Sequence, residues 1–335
     1  MSYAWYFYGE RNPSGFLPFF LKFEQACGFS RVLHLNEGGF NGIDFIRKKV
    51  SNSPYTFSLK PEHTLLSNQK SYGIYGKYNR PFTEIGIRKR DEFQQLIESS
   101  LESKVNGLPL RPLVDKLLKE DVITMDEDNL LLFAEMLRSV TEVEKLFYQK
   151  VLLEVDGDHV QNTLFNIFNT HPELTQVEGF QLYSFIDDLL ALSDNESLNQ
   201  RLIRIKHAEQ ILTPYAFLFR TLQDEPNWSR SKIEKMPIFN SFPPKLNYEF
   251  NDSVLDSLNA SLQNPPFEIV KTAIERNKYI SENRKNAPWL KEENGEVKVY
   301  YSDGAKTIES FDKDSDFENI YFFPTYISLY KQIML

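Results

Sequence analysis

The residue pattern of this chain changes at about residue 90, and this change constrains the fold more than any other feature of the sequence. Before that point lie nine of the 14 glycines and 18 of the 47 aromatic side chains. After it, apolar residues recur every three or four positions. Aromatic residues punctuated by glycine favour strands, whereas a three- to four-residue period favours helices. The sequence therefore predicts an α+β protein in which a strand-rich part precedes a helical one.

Residues 1–90 are predicted to form a basic, aromatic-rich β domain. Residues 55–59 alternate apolar and polar side chains, as a half-buried strand does. Residues 72–78 and 82–87 have the composition of two hairpin arms joined by a polar turn. Further strands are predicted at 3–8, 31–35 and 43–46, and a short helix is predicted at 17–26.

The rest of the chain is predicted to be acidic and helical. Residues 126–153 show the clearest pattern, because their apolar side chains recur on one helical face. Residues 224–250 contain four prolines and no sustained period, which is typical of a linker. The predicted organisation is a β domain at 1–90, a central all-α bundle at 91–223, a linker at 224–250 and a small C-terminal α+β unit at 251–335.

The order of elements in the C-terminal unit bears on function. Two predicted helices, 253–262 and 267–284, precede a predicted hairpin with strands at 296–301 and 306–311. Helix, helix, strand, turn and strand follow one another in a winged helix, so that fold is one arrangement open to this unit. The second helix carries three glutamates among its lysines and arginines, which favours contact with a protein over contact with DNA.

Charge, like glycine, is distributed unevenly between residues 1–90 and the rest of the chain. Residues 1–90 contain 13 Lys and Arg against 6 Asp and Glu, although the whole chain has a net charge of −9. A basic segment in an acidic chain indicates either an anionic partner such as nucleic acid or an attraction between the two parts within one fold.

The single cysteine, Cys27, rules out an internal disulfide and a cysteine-based zinc site. With no signal peptide and no apolar run of about 18 residues, we expect a cytoplasmic protein without a membrane segment.

Patterns that would indicate a catalytic or metal site are missing from the sequence. No two of the five histidines have the spacing that places both on one helix face. Asp156 and Asp158 resemble the first two ligands of a calcium loop. Val160 and Gln161 then stand where such a loop needs a third ligand and a glycine, so the pattern fails. No catalytic residue, metal or cofactor is therefore predicted, and the sequence leaves open whether the protein is an enzyme.

Two short segments resemble nuclease motifs. The Gly-Ile-Tyr triplet at 73–75 and the Glu-Ile-Gly triplet at 84–86 resemble the paired motifs of the GIY-YIG nucleases, whose motif strands form a hairpin, but Glu84 replaces the second tyrosine. Glu296 and Lys298 resemble the end of a restriction-type nuclease motif, in which a carboxylate binds magnesium and a lysine activates water. No second carboxylate precedes them on a strand. We interpret both segments as hairpins without this chemistry, and a metal-dependent nuclease or hydrolase is kept as an alternative.

The basic residues before position 91 give the predicted function. Exposed cations neutralise phosphates, and exposed aromatic rings stack on unpaired bases. We predict a non-catalytic nucleic-acid-binding or assembly subunit of a bacterial multi-protein system, whose helical region contacts a protein partner. A protein scaffold without nucleic acid is a further alternative, and a buried aromatic core with ordinary surface lysines is the competing interpretation of the same residues. The predicted nucleic-acid-binding residues are Arg47, Lys48, Lys49, Lys77, Arg80, Arg88, Lys89 and Arg90.

Overall fold

The protein combines helix and sheet, as the sequence predicted. The computed structural model describes residues 1–9, 13–105, 109–155 and 159–335. Helices account for 62% of the structure and strands for 6%. Within the described ranges, every helix is too short or too polar to cross a bilayer.

The described chain divides into two compact units, Met1–Asp156 and Gly157–Ile333. The predicted boundary after Arg90 lies inside the first unit. The segment predicted as a linker, 224–250, lies inside the second unit and contributes buried residues such as Trp228 to its core. Independent folding of the four predicted parts stays a prediction.

The first unit is mostly helical and contains a two-stranded antiparallel sheet. Its strands are β1 (Tyr55–Ser58) and β2 (Val122–Met125), which pair with Tyr55 opposite Met125 and confirm the strand predicted at 55–59. Its helices are α1 (Ser2–Tyr8), α2 (Phe16–His34), α3 (Ile43–Arg47), α4 (Gln69–Tyr72), α5 (Ile74–Glu84), α6 (Phe93–Val105), α7 (Leu110–Lys119), α8 (Glu127–Leu137) and α9 (Glu142–Tyr148).

Helix α2 lies at the centre of this unit and packs against α1, α3, α7, α8 and β1. Phe16, Phe19 and Phe20 are buried on it, and the ring of Phe23 lies 5.8 Å from that of Phe133 on α8. A helix that is apolar nearly all round is typical of a core position. The helix predicted at 17–26 is therefore confirmed, and it continues to His34 because residues beyond 26 are buried as well.

The prediction of a strand-rich domain at 1–90 is wrong, because most of its predicted strands are helical. Aromatic residues favour strands through packing and not through an intrinsic backbone preference, so a helical core accommodates them equally well. Ala4, Phe7 and Tyr8 illustrate this, since their helical spacing buries all three. The predicted strand at 3–8 is α1, the one at 31–35 is the end of α2, and the one at 43–46 is α3. The segment 72–78 runs from the end of α4 into α5, and 82–87 runs from α5 into the 3₁₀ turn Ile87–Lys89.

The single helix predicted at 126–153 is broken into α8, α9 and a π-helical turn at Gln149–Glu154. A new helix begins after Thr141, whose hydroxyl accepts a hydrogen bond from the Glu144 N–H at 3.2 Å. The Glu144 carboxylate in turn accepts one from the Thr141 N–H at 2.8 Å. This capping box satisfies two backbone donors that an unbroken helix would have bonded internally. The apolar period runs across the break, so the period alone could not reveal it.

Glu144 also forms a buried ion pair. Its carboxylate lies 2.8 Å from the Lys104 Nζ atom, and both side chains are nearly inaccessible to solvent. The Tyr3 hydroxyl donates a further hydrogen bond to it. Burial opposes the charge, but Lys104, the Thr141 N–H and Tyr3 outweigh it and lower the pKa of Glu144. The cluster ties α1, α6 and α9 together.

The second unit contains seven helices and a three-stranded antiparallel sheet among the residues that the structure describes. Its core gathers buried side chains from most of these elements, including Leu218, Phe250 and Phe267. The helices are α10 (His159–Thr170), α11 (Leu182–Leu192), α12 (Glu196–Leu222), α13 (Arg230–Ile233), α14 (Ser253–Ser261), α15 (Pro266–Asn283) and α16 (Phe323–Met334), and the strands are β3 (Asn227–Ser229), β4 (Leu290–Glu293) and β5 (Glu296–Val299).

The hairpin of the second unit uses a different turn from the predicted one. Strand β5 lies between β3 and β4, and β4 joins it through Asn294 and Gly295. Both residues have positive φ angles, 54° and 78°, as a tight two-residue hairpin turn requires. The predicted turn at 302–304 and return strand at 306–311 are therefore wrong. The Asn-Gly pair was the stronger hairpin signal, because few other residue pairs adopt this geometry without strain.

A buried carboxylate anchors the segment that precedes α16. Glu209 on α12 is fully buried and accepts hydrogen bonds from the backbone N–H groups of Glu318 and Asn319, at 3.0 and 3.1 Å. The Tyr321 hydroxyl and the Thr213 hydroxyl also donate to it, at 2.9 and 3.0 Å. A single acidic side chain thus satisfies several donors of an otherwise irregular segment.

Candidate nucleic-acid interface

The first predicted basic triplet lies at the end of α3. Arg47 and Lys48 are exposed there. Lys49 is partly buried: its Nζ atom donates to the Glu62 carbonyl oxygen at 2.6 Å and lies 4.5 Å from the centre of the Phe45 ring. Two of the three cations are therefore directed to solvent, and the third is bound within the fold.

Of the other predicted cations, some are exposed to solvent and some contact other groups of the protein. Arg80 on α5 forms an ion pair with Glu84 at 2.7 Å. The Arg88 guanidinium lies 4.1 Å from the centre of the Trp5 ring, in a cation–π contact. Lys89 is exposed and Arg90 is half-buried. Of the eight predicted residues, Lys77 alone lines a pocket that α2, α4 and α5 form in this unit.

That pocket has a volume of about 370 Å³. Pockets that bind small molecules fall in the range of roughly 300–1,000 Å³. Most of its lining comes from α2, from the loop after α2, and from α4 and α5, and Met1, Tyr3, Leu65 and Leu137 complete it. The lining residues include Phe20, Phe23, Glu24, Cys27 and Arg31 on α2, Gly39, Phe40 and Asn41 on the loop, and Tyr72, Gly73, Ile74, Lys77 and Tyr78 on α4 and α5.

The floor of the pocket contains the Glu24 carboxylate, which is 7% exposed. One of its oxygens accepts a hydrogen bond from the Gln69 side-chain amide at 2.7 Å, and the other accepts one from the Ile74 N–H at 2.6 Å. Burial raises the pKa of Glu24, and these two donors oppose the rise. Among the described residues, no lysine or arginine forms an ion pair with this carboxylate.

A chain of buried amide groups holds Glu24 in place. Gln25 exchanges two hydrogen bonds with the backbone of Ser58, at 2.9 and 3.1 Å. Gln25 also donates to the Gln69 side-chain oxygen at 3.3 Å, and Gln69 donates in turn to Glu24. Each member is satisfied, so the network fixes the direction of the carboxylate.

Backbone proximity adds a steric constraint at Gly73. A Cβ atom at this position would lie 2.5 Å from the Gln69 carbonyl oxygen and 2.8 Å from a Glu24 carboxylate oxygen. Contacts this short do not occur at real Cβ atoms. The chain therefore passes Glu24 closely enough to donate the Ile74 N–H only because residue 73 lacks a side chain.

The pocket mouth combines exposed aromatic rings with positive charge. Tyr72 and Tyr78 are 62% and 57% exposed, and Lys77 is exposed beside them. The Asn41 amide donates to the Tyr72 carbonyl oxygen at 3.1 Å and joins the loop to α4. Arg31 is bound by Glu37 and lies 5.0 Å from the centre of the Phe40 ring. Among the described residues, Lys77 forms no ion pair, so its charge is available to a ligand.

Cys27 also lines the pocket, but its chemistry is not that of a nucleophile. Burial raises the pKa of its thiol to about 12. The thiol is therefore protonated at neutral pH, whereas the thiolate is the nucleophilic form. Cys27 contributes apolar surface.

Glu24, Gln25 and Gln69 were not among the residues predicted from the sequence. A signal was present, because Glu24 and Gln25 lie within a mostly apolar helix, and buried polar residues need partners. The partners themselves are distant in sequence and could not be assigned from spacing. Glu296 and Lys298, which resemble a nuclease motif, lie on β5, where Lys298 forms an ion pair with Glu293 at 3.1 Å.

Among the described residues, no group of three or more His, Cys, Asp or Glu side chains is placed to hold a metal ion. Asp156 and Asp158, considered above for calcium, lie outside the described residues. The Gly-Ile-Tyr and Glu-Ile-Gly triplets fall on and after α5, so the hairpin expected of them is wrong.

No protein-family model, no curated protein and no solved structure matches this chain.

Proposed function

We propose that the first unit binds single-stranded nucleic acid through the α4–α5 surface, which we define as the side chains of Lys70, Tyr72, Lys77, Tyr78 and Arg80. The observation that carries the proposal is the exposure of Tyr72 and Tyr78 beside Lys77 at the mouth of the pocket. Exposed aromatic rings that lie beside a positive charge can stack on unpaired bases while the charge contacts a phosphate.

The chemistry of this surface suits unpaired bases better than a duplex. Each base stacked on an aromatic ring contributes about 1–3 kcal/mol, and every base has a face that stacks. Bases in a duplex are already stacked on each other and are inaccessible to Tyr72 and Tyr78. Lys70 and Lys77 supply charge for the phosphates that connect such bases.

The remaining predicted cations should contribute unequally to the affinity for a polyanion. Arg47, Lys48 and Lys89 are exposed and are free to attract a polyanion over a distance. Lys49 and Arg88 already have partners in the protein, so binding must replace those contacts. We therefore expect the α4–α5 surface to carry more of the affinity than the triplets at 47–49 and 88–90.

Binding of labelled oligonucleotides to the full chain tests the proposal. A single-stranded 12-mer should bind more tightly than a duplex of the same length, and its affinity should fall steeply between 50 and 200 mM salt, by about ten-fold for each two to three phosphate contacts. Equal or absent binding of both would overturn the proposal. Cleavage that needs magnesium and stops with chelator would favour a nuclease instead.

A second function, contact with a protein partner, is proposed for the second unit. The order of its elements α12, β3, α13, α14, α15, β4 and β5, and the strand order β3-β5-β4, support a winged-helix arrangement for this part of the unit. Helix α15 presents mixed charge, since Lys271 lies 3.4 Å from Glu268 and 3.9 Å from Glu292. Such a surface has little net attraction for DNA and is suited to a mixed-charge protein surface.

Affinity purification from the native host tests this second function. A partner that binds α15 should co-purify with the unmodified chain and be depleted when Lys278 is changed to Glu. Oligonucleotide binding by the first unit should be unchanged. Retention of every partner by the variant would argue against α15 as the contact.

A further inference from the structure

The pocket beneath the α4–α5 surface is large enough to hold a single planar ring and is lined in part by aromatic side chains. Phe20, Phe23 and Phe40 supply apolar walls. Of the polar side chains in the lining, which include Arg31, Asn41 and Lys77, Glu24 is the buried one. Ligand pockets are typically apolar, with a small number of polar groups that fix orientation. A flat heteroaromatic ring with one polar edge satisfies both requirements.

Glu24 determines which polar edge is accepted. Each of its two carboxylate oxygens accepts one hydrogen bond from the protein, from Gln69 and from the Ile74 N–H. An ionised carboxylate has about four acceptor positions and no donor, so two positions remain for hydrogen atoms of a ligand. A carbonyl oxygen at the same place would meet another acceptor and be repelled. The floor therefore selects an N–H donor.

The mouth of the pocket determines what the ring is attached to. Lys77 and the exposed rings of Tyr72 and Tyr78 lie where the connecting backbone of a ligand would leave the pocket. Proteins that read a single base commonly turn it out of its stack into a pocket, hold it between apolar side chains and bond its pairing edge. In the major groove of DNA, Glu and Asp carboxylates accept a hydrogen bond from the amino group of cytosine.

We propose that this pocket receives one unpaired base that carries an exocyclic amino group, with Glu24 accepting a hydrogen bond from that group. The inference rests on the proposed binding of single-stranded nucleic acid and adds base selectivity to it. The same ring chemistry occurs in a free nucleotide, which would place its phosphate at Lys77.

Cytosine and uracil form the sharpest pair of probes. Cytosine presents an amino group beside an unprotonated N3, whereas uracil presents a carbonyl oxygen there, and its N3–H lies between two carbonyl oxygens that the Glu24 carboxylate would repel. The full chain should bind a 12-mer of deoxycytidine at least about five-fold more tightly than a 12-mer of deoxyuridine, since a hydrogen bond to a charged acceptor contributes at least that factor. Glu24→Gln should reduce this ratio to about one, because its amide presents both a donor and an acceptor. Cytidine monophosphate should compete only if a free nucleotide also occupies the pocket.

A second variant keeps the test decisive if Glu24→Gln fails to fold. Ile74 lines the pocket and is 38% exposed, so Ile74→Trp should fill the space without disturbing the core and should abolish the preference for cytidine. Ile85, at the other end of α5, is 39% exposed and does not line the pocket. Ile85→Trp is therefore the matched control, and it should keep the preference.

The outcomes separate the two proposals. Equal, salt-sensitive binding of both 12-mers would overturn base selectivity and leave single-strand binding in place. Binding of neither 12-mer would overturn both. A cytidine preference that survives Ile74→Trp would show that selectivity arises outside the pocket and would overturn the assignment to Glu24.

Discussion

The carboxylate of Glu24 and the backbone N–H of Ile74 are 50 positions apart in the chain and 2.6 Å apart in the structure. This hydrogen bond links the central helix α2 to the start of α5 and fixes the floor of the pocket at the same time. The residue between α4 and α5, Gly73, permits the approach because it has no Cβ atom.

Substitution of Gly73 by Ala should therefore destabilise the first unit. The added Cβ atom would meet the Gln69 carbonyl oxygen, which is backbone and cannot rotate away. We expect a loss of about 1–3 kcal/mol in the free energy of unfolding, as for other overpacked sites. Gly38→Ala is the matched control, since its Cβ would meet only side-chain atoms at 3.5 Å or more. Urea unfolding of both variants measures the difference, and equal stability would contradict the steric argument.

Removal of the exposed rings should weaken nucleic-acid binding without loss of stability. Tyr72→Ala and Tyr78→Ala should each cost about 1–3 kcal/mol of binding free energy if one base stacks on each ring. Their unfolding midpoints should be unchanged because the side chains lie mostly in solvent. Tyr279→Ala, at a residue that is 61% exposed on α15, provides the control and should bind as the unmodified chain does. Fluorescence anisotropy with a single-stranded 12-mer measures all three.

Lys77→Ala should alter the salt dependence of binding. Each phosphate contact to a single strand contributes about 0.7 to the slope of log K against log salt concentration. Loss of the Lys77 contact should reduce the slope by about that amount. Lys116, which is exposed on α7 and does not line the pocket, is the control. A slope equal to that of the unmodified chain would show that Lys77 contacts no phosphate.

The ion pair of Glu144 with Lys104 should make the first unit sensitive to acid. The pKa of Glu144 is lowered in the fold, so the pair stabilises the fold above the ordinary glutamate pKa of about 4.3 and loses this effect as pH falls through the lowered value. Glu144→Gln leaves Lys104 buried without a counter-charge and should cost about 3–5 kcal/mol at pH 7. Urea titrations at pH 7 and at pH 3 measure this cost.

The difference in stability between the unmodified chain and Glu144→Gln should narrow in acid, because only the unmodified chain has a carboxylate to protonate. Hydrogen exchange in α6 and α9 assigns the effect to the first unit. The double variant Lys104→Met with Glu144→Leu should be more stable than Glu144→Gln, since it removes both charges. A difference that is constant with pH would show that the pair does not titrate with folding.

Glu209→Gln should loosen the segment before α16. Glu209 accepts hydrogen bonds from the backbone N–H groups of Glu318 and Asn319, and an amide NH₂ in place of one oxygen would face donors. We expect a loss of about 1–3 kcal/mol for the unsatisfied groups. Hydrogen exchange should accelerate at 318–321 first. Glu249→Gln, at an exposed glutamate of the same unit, should leave exchange there unchanged.

The later helices were the part of the fold that local sequence signals predicted well. Helices α14 and α15 begin and end within one residue of the predicted ranges 253–262 and 267–284. The period works for them because each helix buries one face and exposes the other, which leaves an imprint on the sequence. The helix break at Thr141 and the hairpin turn at Asn294 also depend on residues that are close in sequence. The Thr141–Glu144 pair and the Asn294-Gly295 pair indicate them by residue type.

The sequence by itself determined the class of structure, the absence of an internal disulfide and the concentration of positive charge before residue 91, because these depend on residue types and on periods of a few positions. It did not determine the secondary structure of the aromatic segments, since aromatic residues take whichever backbone their packing demands. Only the tertiary structure placed Glu24, Gln69 and Ile74 around one pocket. Such contacts join residues far apart in the chain, and their formation depends on how α2 is enclosed, which no short window of sequence records.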